Sequence, residues 1–180
     1  MNRIIRLYVA IPLILVVSAL PLAAGATNNN QSLHKAYATV ATMKKKDPSL
    51  KGFFNRSYGY AVFPTVGKGG IGIGGAYGSG KVFRKGKYIG NAKLSQLSIG
   101  FQLGGQAYSE IIFFQTESAF RNFTNGKLKL TAQVSAVAIK EGAAASANFR
   151  QGIAVFTMTK GGLMYEATVA GQHIEYTGNK

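Results

Sequence analysis

The sequence predicts an α+β fold that is mainly β: a curled antiparallel sheet or small barrel with an N-terminal amphipathic helix and one short internal helix. Three observations predict it. From Gly70 to Gly78, glycine and alanine alternate with larger residues: Gly70, Gly72, Gly74, Ala76 and Gly78 share one side of a two-residue period. A strand so built has a bare face that another segment can approach closely. Further on, apolar and polar residues alternate over strand lengths between Gly-rich turns. Ahead of both, Leu33, Ala36, Tyr37, Val40 and Met43 recur at helical spacing, with His34, Lys35, Thr39, Thr42 and Lys45 on the other side.

Residues 1–26 read as a signal peptide. Arg3 and Arg6 give the positive region, Ile11 to Leu22 the apolar one, and Ala24-Gly25-Ala26 the small-residue cleavage site. The asparagine-rich stretch from Thr27 to Ser32 reads as a loose mature terminus. The amphipathic helix follows and ends at Lys44-Lys45-Lys46, where cations suit the helix dipole. Asp47-Pro48 opens a second short helix. The helical segment is residues 27–57 and the glycine-rich β region is 58–180, together one domain.

Within that region Val62-Phe63-Pro64 reads as a short strand stopped by proline. Arg84-Lys85-Gly86-Lys87 is the cationic tip of a hairpin. Leu97, Ile99, Phe101 and Leu103 predict a half-buried strand, and Ile111 to Phe114, apolar on both faces, a central one. Thr116 caps a helix that ends at Asn125-Gly126. Residues 128–138 alternate strictly and predict the clearest strand of all. Ala143 to Ala147 is a small-residue link, and residues 152–177 predict a closing meander.

The chemical inventory points to no enzyme. Gly70-x-Gly72-x-x-Gly75 matches a dinucleotide fingerprint as a string, but no amphipathic helix or later acid supports it. Gly75-x-x-x-x-Gly80-Lys81 resembles a phosphate loop, yet Val82 stands where a metal-binding hydroxyl is needed. There is no cysteine. His34 and His173 lack neighbouring ligands, so neither metal nor cofactor is expected. Glu110, beside Ile111, reads as a buried partner for Arg121.

Charge is the stronger signal. The chain carries +15. Residues 27–109 hold twelve Lys or Arg and a single acid, Asp47, whereas residues 110–180 hold seven basic residues and five acids. Such one-sidedness implies an anionic partner.

Tyr60-Ala61-Val62-Phe63-Pro64, Lys68-Gly69-Gly70, Gly74-Gly75, Tyr77-Gly78-Ser79-Gly80 and the later Gly100-Phe101-Gln102-Leu103-Gly104-Gly105 resemble the signature of SYLF domains, over about residues 33–177. The resemblance implies a non-enzymatic lipid-binding domain. Eukaryotic relatives use an amphipathic N-terminal helix and basic residues on membranes, and some fungal ones act at actin patches. Bacterial ones are exported, so the expected place is the periplasm, the cell envelope or the medium. By position, the helix ending in Lys44, Lys45 and Lys46 matches the family's membrane-binding helix, and Lys68 matches its glycine-block lysine. Charge clustering adds Lys51, Arg56, Lys81, Arg84, Lys85 and Lys87 as headgroup ligands, with Phe53 and Phe54 as candidates for bilayer insertion. The expected partner is an anionic phospholipid membrane, with no specific nucleic acid. The alternative is a structural, self-associating envelope or matrix protein that binds polyanions, with a homo-oligomer as its mark.

Overall fold

The computed structural model describes residues 24–71, 73–99, 105–126, 128–131, 133–160 and 169–179. Residues 1–23, which carry most of the expected signal peptide, lie outside them. Helical spacing builds α1 (Ala24–Lys46), which buries Ala36 and Met43 completely. The helix begins earlier than expected: residues 28–32, read as a loose terminus, are helical. Their side chains stabilise the turn, with Ser32 Oγ donating to Asn29 O at 2.9 Å, and Asn29 is held by Lys81 from the sheet.

Asp47 then caps a 3-10 turn, Pro48–Leu50, that runs into α2 (Lys51–Arg56). Its Oδ1 accepts from Ser49 N at 3.1 Å and Ser49 Oγ at 2.5 Å, and its Oδ2 accepts from Ala144 N at 2.7 Å. One carboxylate thus ties α2 to a second 3-10 turn, Ala143–Ser146. Burial opposes its charge, but these donors hold its pKa below the ordinary carboxylate value.

Among the described residues seven strands follow: β1 (Gly59–Ile71), β2 (Ile73–Arg84), β3 (Lys87–Ile99), β4 (Gln106–Phe114), β5 (Ala136–Ala138), β6 (Ile153–Thr159) and β7 (His173–Gly178). They form one open sheet in the order β5-β6-β4-β1-β2-β3-β7. Every pairing is antiparallel except β5 with β6. The sheet is not closed, so the open alternative of the expected fold is the one observed.

Strand alternation divides the core between two faces. On one, Val62, Phe83, Ile111, Phe113 and Phe156 pack under α1, α2 and the 143–146 turn. On the other, Ala61, Phe63, Val66, Ile112 and Phe114 pack under α3 (Glu117–Thr124) and the segment holding Leu128, Leu130 and Val134. Ile111 to Phe114 are all fully buried, as expected of a strand covered on both sides. α3 is also as expected, with Thr116 Oγ1 accepting from Ala119 N and Gly126 ending it at φ 71°. Lys85 and Gly86 both have positive φ, the type I′ geometry of a two-residue hairpin.

Other expectations are corrected. Pro64 does not stop its strand; β1 runs through it because pairing breaks there, between Val62 and Thr65 toward β2 and between Phe63 and Val66 toward β4. In that bulge the missing N–H costs no ladder bond. The glycine run is not one strand either, since Ile71 pairs with Ile73 and the chain reverses between β1 and β2. Its bare face is nevertheless real on β2, where Gly74, Gly78 and Gly80 are buried. A Cβ on Gly80 would lie 2.7 Å from the Phe63 ring and from Val62 O, and one on Gly78 2.9 Å from Val66. Gly72 lies outside the described residues.

Leu97 is 77% exposed while Gln96 is buried. Ala92 and Leu94 set the phase of β3, so the even-numbered residues face inward and the predicted pattern is off by one. The remaining expected members of that strand, residues 100–103, lie outside the described residues. Among the described residues of 128–135 burial does alternate, but the backbone meets the sheet only at an isolated bridge, Lys129 with His173. Leu130 N donates to Gln172 O and Gly171 N to Leu130 O, so this stretch lies across the core, and only Ala136–Ala138 is strand. The meander is not formed: β6 pairs with β4 and β5, whereas β7 edges the far side against β3. Most of the strand expected at 162–170 lies outside the described residues.

Candidate functional site

Helix ends and hairpins place the expected cations. Lys45, Lys46, Lys51, Arg84, Lys85 and Lys87 are exposed, and Lys68 is half-buried on β1. Lys44 is half-buried, its ammonium 3.9 Å over the Phe54 ring. Arg56 lies across the Phe53 and Phe149 rings at 5.0 and 5.8 Å.

The two outer clusters differ in their acids. Asp47, which adjoins the helix-end group, is buried and occupied by Ser49 and Ala144. Lys85 of the hairpin lies in the field of Glu117, whose pKa is lowered chiefly by the Arg121 hydrogen bond. Arg84 borders the same hollow as Glu117 and Arg121.

Two expected residues are corrected, and a third, Lys81, is more enclosed than expected. Phe53 cannot enter a bilayer: it is fully buried among Phe113, Phe149 and Phe156. Phe54 is half-buried and meets Phe113 edge-on at 4.8 Å, so it too is committed to the core. Lys81 is only 6% exposed. Its Nζ donates to Asn91 Oδ1 at 2.6 Å and to Asn29 Oδ1, and sits 5.4 Å from the Tyr88 ring. Desolvation lowers its pKa.

Lys81 leads to a feature that the sequence did not show. Between the N-terminal half of α1 and the outward face of β1, β2 and β3 lies a groove of about 740 Å³. Its floor is the backbone of Gly67, Gly78 and Gly80, and its sides carry Lys35 from α1 and Lys93 and Asn91 from β3. No acid lines it. Lys160 Nζ donates to Thr65 Oγ1 at 2.6 Å on its rim. Lys35 and Lys93 are isolated in sequence, and the packing of α1 on β1 and β2 brings them to one groove.

The remaining titratable groups are placed for structure. Glu110 is fully buried but not with Arg121, which instead pairs with Glu117 at 2.7 Å. Gln172 Nε2 donates to Glu110 Oε2 at 3.1 Å, Oε1 has no partner, and burial pushes the carboxyl up to about 7. His34 is exposed on α1, and His173 Nε2 lies 3.5 Å from Glu175 Oε1. Among the described residues no three metal-ligating side chains come together, and no helix is long and apolar enough to cross a membrane.

Residues 95–179 match the Ysc84 family, described as a Las17-binding protein actin regulator. The chain is also similar to Beta cell expansion factor A of Aeromonas veronii, 31% identical over 128 residues, which cover 70% of this chain and 48% of that protein. The chain therefore spans about half the length of that relative. Residues 95–179, from the middle of β3 to the end of β7, thus form a stretch of the Ysc84, or SYLF, family, the family that the motifs of this chain resemble.

Proposed function

We propose that this protein is a non-enzymatic, peripheral lipid-binding protein that docks on anionic membrane surfaces of the cell envelope. The family's association with lipid supports a lipid-binding role in general. One observation carries the finer reading. The only acid between residues 27 and 109, Asp47, is turned inward and saturated by hydrogen bonds. This half therefore contributes positive charge to the surface and no exposed acid of its own. Each basic side chain near an anionic surface contributes on the order of 1 kcal/mol, so a few together give reversible, salt-sensitive attachment.

Sedimentation with vesicles tests this. The protein is expected to pellet with phosphatidylglycerol-containing vesicles, to stay in solution with phosphatidylcholine alone, and to be released by salt. Equal pelleting with both, or indifference to salt, overturns the reading.

A further inference from the structure

We propose that the groove between α1 and the outward face of β1–β3 binds a single amphiphile with a phosphate head. The head lies against Lys35, Lys81 and Lys93, and the apolar part runs outward over Tyr77 and Leu97. The inference rests on the docking reading for its class of ligand and adds a discrete site to it.

Charge gives the first argument. Among the described residues neither Lys35 nor Lys93 has an ion-pair partner. The Lys81 ammonium is buried, yet both of its hydrogen-bond acceptors, Asn29 and Asn91, are neutral amides. A buried cation is ordinarily matched by an anion. The nearest acid along the sheet, Glu175, is opposite Lys93 in the β3–β7 register, and its carboxylate lies beside His173. A phosphate in the groove supplies the missing charge and accepts hydrogen bonds from ammonium groups.

The floor gives the second argument. Gly78 and Gly80 are required by packing, but Gly67 is not: a Cβ there meets nothing within 4 Å, and its φ is not in the left-handed region. Its bareness leaves space over the floor that the fold itself does not use.

Polarity along the face gives the third. Tyr77 pairs with Gly67 on one side and Ser95 on the other, and Leu97 pairs with Gly75, so both project to the face that carries Lys93. They are 58% and 77% exposed. Lysines therefore lie near α1 and apolar side chains farther out along the same strands. Sites for small molecules usually enclose roughly 300–1,000 Å³, so the groove is of suitable size.

Calorimetric titration with dihexanoyl phosphatidylglycerol below its micelle threshold tests the site, with inorganic phosphate as the second ligand and vesicle sedimentation in parallel. Wild type is expected to bind the short-chain lipid saturably and inorganic phosphate much more weakly. Gly67→Leu, whose Cβ meets nothing within 4 Å and whose side chain enters the groove, is expected to weaken lipid binding about tenfold or more with an unchanged melting temperature. Lys93→Glu and Leu97→Ser, both at exposed positions, should each weaken it too and keep the test valid if Gly67→Leu misfolds. Wild-type affinity in folded Gly67→Leu and Lys93→Glu overturns the site. Equal affinity for inorganic phosphate overturns the amphiphile in favour of a soluble phosphate ligand. Vesicle pelleting without uptake of short-chain lipid overturns the groove and leaves peripheral docking standing, whereas failure in both arms overturns both.

Discussion

Glu110 and Asp47 are both fully buried acids, and their surroundings push them in opposite directions. Asp47 receives donors on both oxygens, whereas Glu110 receives one amide and leaves Oε1 without a partner. The Glu110 carboxyl is raised from 4.5 to about 7 by burial. Between those two values the unfolded chain has released this proton and the folded chain still holds it. Stability from this group is therefore full below about 4.5, declines as pH rises, and is lost by about 7. The size is on the order of 3 kcal/mol, since each tenfold change in proton affinity is worth ~1.4 kcal/mol. Denaturant unfolding from pH 4 to 8 should show this fall in wild type, and Glu110→Gln should flatten it. A variant with the wild-type slope would assign the titration to another group. The burial of Glu110 was legible from its apolar neighbours. Its partner was not, because Arg121 has Glu117 one helical turn away and Gln172 arrives from a distant loop.

At the scale of elements, what could be read in the sequence was what the local chain determines. Thr116 and Asp47 announce their helices because a cap is chemistry within three residues. The Lys85-Gly86 turn is similarly local. Residues 128–135 misled because an extended segment lying across a core can bury every second side chain, whether or not its backbone joins a ladder. Leu97 misled because phase is inherited from Ala92 and Leu94 earlier in β3. The bare glycine face was legible as a pattern, but its crowded positions were not, since they depend on Phe63 and Val66 of the neighbouring strand. Gly80→Val is expected to destabilise by at least ~1–3 kcal/mol, as overpacking does, measured by thermal or denaturant melts. Gly67→Val should melt like wild type, because nothing stands where its side chain goes. If the two variants behave alike, the close approach of Phe63 does not hold β1 and β2 together.

At the scale of the whole molecule, strand order was hidden from local pattern, and with it the assembly of Lys35, Lys81 and Lys93 around one groove. The asymmetry of charge was fully legible, and the structure sharpens it by removing Asp47 and Lys81 from the surface. What remains outside is a helix-end group whose adjoining Asp47 is turned inward and a hairpin group that shares the field of Glu117. Attraction to an anionic surface fades within about a Debye length, ~8 Å at physiological salt. Orientation therefore decides which lysines count. Changing Lys45, Lys46 and Lys51 together to Glu is expected to weaken binding to anionic vesicles about tenfold or more, on ~1 kcal/mol per engaged cation. The same reversal at Arg84, Lys85 and Lys87 should weaken it less. Both variants alter net charge equally, so a difference between them reports position alone, once circular dichroism shows both folded. Greater loss in the hairpin variant would place the membrane against the β2–β3 turn. Equal loss would mean that the field of the whole protein, with no preferred face, holds it to the bilayer.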